Sequence, residues 1–146
     1  MGYGLAHTIH LICAILFIGV VAFEVLIIEG IRPQIAPQTM GQLELLIQKR
    51  GRRIMPFVVI ALVLSGLTLG YHHRAVLMSP LSSSFGTLLS IKLLLVVAVL
   101  VQLVMTLRRS IKGTLDSGRF KLGHRELLIQ MFVIVILAKA MFYVSW

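Results

Sequence analysis

The chain has 146 residues, of which 58% are hydrophobic and only 13% are charged. No soluble domain of this length needs so large an apolar fraction for its core, so the composition predicts an integral membrane protein. The formal net charge of +9 would also suit a nucleic-acid-binding protein. The basic residues, however, cluster beside apolar segments, where membrane proteins carry them. We therefore expect a lipid bilayer as the partner of this chain, and no nucleic acid.

Four apolar runs each approach the ~20 residues that cross a bilayer. They cover residues 5–28, 54–71, 87–107 and 127–144. We expect each to form a transmembrane helix within a single domain over residues 1–146, with cytoplasmic loops at 29–53 and 108–126. The first run lacks a basic leader and a small-residue cleavage site, so it is expected to stay in the mature protein. The predicted fold is all-α, an integral membrane four-helix bundle with up-down-up-down connections.

The distribution of positive charge predicts the orientation of this bundle. The loop 29–53 carries five basic residues and the loop 108–126 carries six, whereas the connection between the second and third spans carries only Arg74. Positive residues stay on the cytoplasmic side, so both termini and residues 72–86 are expected on the periplasmic, or outer, side. We expect a multi-pass protein of a bacterial-type inner membrane. Residues 41–53 carry an apolar stripe at helical spacing and are interpreted as an interfacial extension of the second helix.

Four histidines are predicted to share the outer face of the membrane. His7 and His10 lie near the start of the first span, and His72 and His73 end the second. Consecutive antiparallel helices place these ends side by side, and neutral imidazole binds copper, iron and zinc, so the four are candidate ligands of a metal or haem. The alternatives are that His10 forms a hydrogen bond to a neighbouring helix, that His7 is interfacial, and that His72 and His73 form a solvated helix end.

Two lysines lie inside apolar spans on the same side. Lys92 is about five residues inside the third span and Lys139 lies at a similar depth in the fourth. Lys92 either extends outward to the headgroups or pairs with an anion such as a haem propionate or an acidic substrate group. Lys139 has the same alternatives.

Two glutamates are expected near the inner end of the first helix. Glu24 and Glu29 are predicted to form ion pairs with basic residues of the inner loops, namely Arg52, Arg53 or Arg125. No function beyond structure is assigned to them.

A pair of glycines in the second span predicts close helix packing. Gly66 and Gly70 form a GxxxG spacing, which lets two backbones approach closely. We favour packing within the chain, and a homodimer interface is the alternative.

Several short segments carry a resemblance to a known family. His10 followed by Phe17, Ile18 and Gly19 resembles the start of the copper-resistance D (CopD) family and of the related HemJ-type protoporphyrinogen oxidases. The resemblance continues through QKRGRRIMP at 48–56, SGL at 65–67 and IKLLL at 91–95.

The resemblance implies a four-helix membrane unit that binds haem b in the HemJ-type branch and handles copper in the other. By position, His10 would be a haem ligand and Lys92 the lysine of the third helix. Phe17 stands where that family usually has tryptophan, and Glu24 lies near the place of its usual arginine. The resemblance therefore favours haem binding over oxidation of protoporphyrinogen.

Three functional hypotheses follow. The first is a small b-type haem protein for electron transfer or haem-dependent redox chemistry near the outer face, with an unknown redox partner and cofactor ligands among His10, His72, His73 and His7. The second is a copper-binding or copper-transporting protein that uses the same histidines, with Met78 or Met141 as added soft ligands. The third is a non-catalytic membrane assembly subunit.

Overall fold

The computed structural model describes residues 2–112 and 117–145, and every regular element in that part of the chain is helical. The elements are α1 (Gly2–Ala22), a π-helical segment (Phe23–Ile28), α2 (Glu29–Ile31), a 3-10 turn (Arg32–Gln34), α3 (Pro37–His72), α4 (Arg74–Leu77), α5 (Ser84–Ile111) and α6 (Ser117–Ala140). The chain divides into two compact units, Met1–Gly70 and Tyr71–Trp146.

The first unit begins with α1, which buries one narrow stripe. Its buried residues Ala6, Cys13, Phe17 and Val21 are spaced by seven and four positions and therefore share one helical face. The other faces are also apolar and exposed, with Leu5 the most exposed of its large residues at 64%. A helix that is apolar all round, but buried by protein on one stripe only, has lipid as the natural solvent for the rest.

A π-helical segment follows directly on α1. Across residues Phe23–Ile28 the helix widens, and the backbone N–H of Glu29 donates to the carbonyl of Glu24, five residues earlier. The helical path continues through α2 and ends in the 3-10 turn, where Pro33 lies and where Ile35 is extended. Short π-helical segments of this kind occur within longer helices and are not visible in the apolar periodicity.

Helix α3 is longer than the predicted second span. It begins at Pro37 and is unbroken to His72. Most of the predicted loop 29–53 is therefore helix, and the predicted extension of the second helix over residues 41–53 is part of α3. Pro37 suits a first helical position, where its missing N–H costs little. The residues that follow are largely Gln, Leu, Glu, Lys and Arg, which are strong helix formers. Pro56, the third residue of the predicted span 54–71, therefore lies in the interior of α3, where it removes one backbone hydrogen bond.

The second unit contains α4, α5 and α6. A compact turn joins α4 to α5, in which the Thr87 hydroxyl donates to the Pro80 carbonyl at 3.0 Å. A Cβ on Gly86 would lie 2.9 Å from that same carbonyl oxygen, so only glycine fits there without movement of the backbone. Helices α5 and α6 pack together, and the amide of Gln102 donates to the carbonyl of Gly123 at 2.9 Å.

Three helical stretches of the described residues are long and apolar enough to cross a membrane: Gly2–Gln34, Pro37–His72 and Ser84–Arg109. They contain the first three predicted spans, and they indicate a multi-pass membrane protein. Helix α6 covers the fourth predicted span only as far as Ala140. Its 24 residues include Lys121, Arg125, Glu126 and Lys139 around the apolar part, and α6 is not among the three. The fourth crossing, the bundle and the orientation of the termini stay predictions.

Candidate functional site

His10 of α1 contacts α3. Its Nδ1 atom lies 3.1 Å from the carbonyl oxygen of Leu62 and 3.2 Å from the hydroxyl of Ser65. A backbone carbonyl carries no proton, so the hydrogen in this bond belongs to Nδ1. In the neutral imidazole, the lone pair is then on Nε2. The contact with α3 therefore selects one tautomer of His10.

Small residues on α3 make room for this imidazole. Ser65 is only 7% exposed, and its hydroxyl donates to the Ala61 carbonyl at 2.7 Å. Because that hydroxyl has given its own proton away, its oxygen acts as a second acceptor for the single Nδ1 hydrogen of His10, which it shares with the Leu62 carbonyl. A Cβ on Gly66 would lie 3.1 Å from Cε1 of His10, whereas one on Gly70 would meet nothing within 4 Å. Of the predicted GxxxG pair, Gly66 is the member in close contact within the chain.

His7 lies one turn before His10 but is exposed. Its ring stacks on Tyr3, with the two centroids 6.3 Å apart and the planes at 26°. Within the first unit, therefore, His10 is the histidine that the fold brings against a second helix.

His72 and His73 belong to the second unit, at the end of α3 and in the turn after it. The ring of His72 is exposed and meets the edge of Tyr71 at 6.4 Å. His73 is half-buried, and its ring centroid lies 5.6 Å from that of Phe85. Phe85 in turn contacts Phe142 at 5.5 Å. His72 thus has the exposure expected of a solvated helix end, whereas His73 packs partly against an aromatic side chain.

Lys92 lies on the buried face of α5. Helical spacing places it between Leu89 and Val99, which are 7% and 6% exposed. Its own side chain is half-buried. Among the residues that the structure describes, no side chain forms a hydrogen bond or ion pair with its ammonium group. Lys139, by contrast, is exposed. Of the two lysines that were predicted inside the membrane, Lys92 is the one turned toward protein.

One of the two acidic residues near the far end of the first helix, Glu29, has a partner that the sequence analysis did not name. Arg32, not a residue of the basic segment 49–53, binds Glu29, with Nε donating to one carboxylate oxygen at 2.9 Å. The same guanidinium also donates to Glu44 of α3. The spacing of Glu29 and Arg32, three residues apart on a helix, was the signal for this pair. Glu24 lies in the π-helical segment, which the sequence did not reveal.

No group of three or more His, Cys, Asp or Glu side chains in the described residues is arranged to hold a metal ion. The candidate cofactor-binding residues are His10 and His7 in the first unit, and His72, His73 and the half-buried Lys92 in the second.

The class of protein that these observations define is an all-helical, multi-pass membrane protein with an oriented histidine between two of its helices. No family model, curated protein or solved structure matches this chain. The likeness to the CopD and HemJ-type families remains a prediction from short motifs.

Proposed function

We propose that this chain is a small membrane b-type haem protein in which His10 would bind the haem iron. The observation that supports the proposal is the hydrogen bond from Nδ1 of His10 to the Leu62 carbonyl. Histidines that bind a metal through one ring nitrogen almost always donate from the other, often to a backbone carbonyl, which fixes the tautomer and the ring orientation. The hydrogen bond of His10 therefore has the form expected of a histidine whose Nε2 atom binds a haem iron.

The residues that would hold the group are His10, one further histidine among His72, His73 and His7, and Lys92 for a propionate. An ammonium group on the buried face of a membrane helix is costly unless an anion accompanies it, so a carboxylate of a bound cofactor would relieve that cost. When bound, haem b supplies one-electron redox chemistry of its iron. The chain would orient the ligand nitrogen and exclude water with its apolar walls, and a separate redox partner would exchange the electron.

We further propose that α6 supplies a fourth crossing, so that four helices form an up-down-up-down bundle in a bacterial-type inner membrane with both termini outside. The basic residues of 29–53 and 108–126 support this orientation. Alkaline phosphatase fused to the carboxyl terminus would then be active, since it folds only outside the cytoplasm. An inactive fusion in normally expressed protein would contradict the orientation.

The haem proposal is tested by purifying the full chain in detergent after expression with adequate haem. We expect a Soret band and stoichiometric iron. His10→Gly should lose the band and regain it with added free imidazole, because imidazole replaces the missing ligand even where packing has been disturbed. His124→Ala is the control and should keep the spectrum, because His124 lies among basic residues near the start of α6 and is not a candidate ligand.

Two results would overturn the haem proposal. Stoichiometric copper without porphyrin would support the copper-handling alternative. A preparation with neither metal nor pigment would support the non-catalytic assembly subunit.

A further inference from the structure

A basic groove runs along one face of α3, just before the point in the sequence where the apolar span begins. It has a volume of about 240 Å³ and is lined by Leu46, Lys49, Arg50 and Arg53. These positions are separated by three and four residues, so they form a single stripe. We call these four residues the basic groove.

The cations of this groove have no acidic partner within residues 2–112 and 117–145. The carboxylate nearest in sequence, Glu44, is nine residues from Arg53 and therefore lies on the opposite face of the helix. There it is already bound to Arg32. The ion pair of Glu44 with Arg32 and the basic groove thus lie on opposite sides of α3. The groove keeps three uncompensated positive charges.

The same stripe changes character as it enters the span. Four residues after Arg53 comes Phe57, followed at helical spacing by Ile60 and Leu64, and these three are 74%, 56% and 60% exposed. One continuous face of α3 therefore presents three cations and then a row of exposed apolar side chains. This order, charge at the interface followed by apolar surface in the membrane, matches a molecule with an anionic head and an acyl chain.

We propose that this face of α3 binds an anionic phospholipid, with the phosphate at Lys49, Arg50 and Arg53 and an acyl chain along Phe57, Ile60 and Leu64. Arg and Lys bind phosphate oxygens through charge-assisted hydrogen bonds, and basic clusters beside a membrane helix attract anionic lipids. The proposal is independent of haem binding, since it uses none of the candidate ligands.

Native mass spectrometry of the detergent-purified full chain tests it. We expect phosphatidylglycerol to be retained at least about tenfold more tightly than phosphatidylcholine with the same chains, and high salt to reduce the difference. Arg53→Gln should weaken phosphatidylglycerol about fivefold and leave phosphatidylcholine unchanged, as expected for the loss of one basic residue near an anionic surface. The matched control is Arg52→Gln, because Arg52 neighbours Arg53 in sequence but does not line the groove; it should stay within about twofold of the wild type.

Three outcomes would overturn the proposal. The first is equal retention of the two lipids by the wild-type chain, which requires no variant to fold. The second is an equal loss in Arg52→Gln and Arg53→Gln. The third is displacement of phosphatidylglycerol by glycerol 3-phosphate at equal concentration, which would assign the groove to a free phosphate compound.

Discussion

Gly66 of α3 and the imidazole of His10 are close enough that a methyl group on the glycine would lie 3.1 Å from Cε1 of the histidine. The imidazole therefore lies over a position of α3 where a hydrogen fits and a side chain would crowd it, one residue after Ser65, which its Nδ1 atom contacts.

Gly66→Ala tests that contact against Gly70→Ala. In a helix interior alanine is favoured over glycine by roughly 0.8–1 kcal/mol. At Gly70, where a Cβ meets nothing, we expect this gain to appear as a higher Tm in detergent. At Gly66 the imidazole must move by a few tenths of an ångström, so the gain should be lost or reversed. Equal stabilisation by both substitutions would show that His10 does not press on α3.

Removal of Arg32 should leave two carboxylates facing each other. In Arg32→Gln, Glu29 and Glu44 lose their shared cation, and we expect the free energy of unfolding to fall by roughly 1–2 kcal/mol. Glu44→Gln keeps a hydrogen-bond acceptor and should cost less. Thermal unfolding at low and high salt measures both effects, because salt screens the partly exposed pair. Arg52→Gln is the control, and an equal Tm loss there would contradict the specific role of Arg32.

Gly86→Ala should destabilise the turn between α4 and α5. The new Cβ would lie 2.9 Å from the Pro80 carbonyl oxygen, and a backbone atom cannot give way as a side chain can. We expect a loss of about 1–3 kcal/mol in the free energy of unfolding. Gly4→Ala, where nothing lies within 4 Å, should not be destabilising. A Gly86→Ala variant as stable as the wild type would show that the turn relaxes freely.

Lys92→Met should separate stability from cofactor binding. Removing a half-buried ammonium from a membrane helix ought to raise the free energy of unfolding of the cofactor-free chain by on the order of 1 kcal/mol, and its Tm with it. The gain is smaller than the cost of ~2.5–3.5 kcal/mol assigned to a lysine at a helix centre. If Lys92 holds a propionate, the same variant should lose haem faster on dilution. Lys139→Met, at an exposed position, should do neither. A stabilised variant with unchanged haem retention would remove Lys92 from the site.

The first three spans were predictable because lipid demands long apolar runs, and such runs are visible directly in the sequence. The helical extension over residues 41–53 was also predicted, from its apolar stripe, and α3 contains it. Its first turn at Pro37 was not, because residues 37–40 carry no apolar periodicity that separates them from the preceding loop. The aqueous part of a long helix carries the same polar composition as a loop, and only the lack of a helix-breaking residue distinguishes them.

The candidate site was predictable in its members but not in its contacts. A hydrogen bond from His10 to a neighbouring helix was one of the alternatives at the outset, and the structure has it. That Leu62 supplies the acceptor depends on the rotation and depth of two helices, which periodicity does not determine. Arg32 was missed as a partner of Glu29 because residues distant in sequence were considered and this neighbour, one helical turn away, was not.

The π-helical segment has a consequence for chain length. A π-helical segment behaves as one extra residue accommodated in an α-helix. Loss of a single residue between Phe23 and Ile28 would let this stretch close with ordinary α-helical bonds while His10 and Arg32 keep their relative directions. The same loss within Gly2–Ala22 would rotate one part of the helix against the other by roughly 100°. Natural variation in the length of this helix should therefore be tolerated at the wide segment and rejected before it.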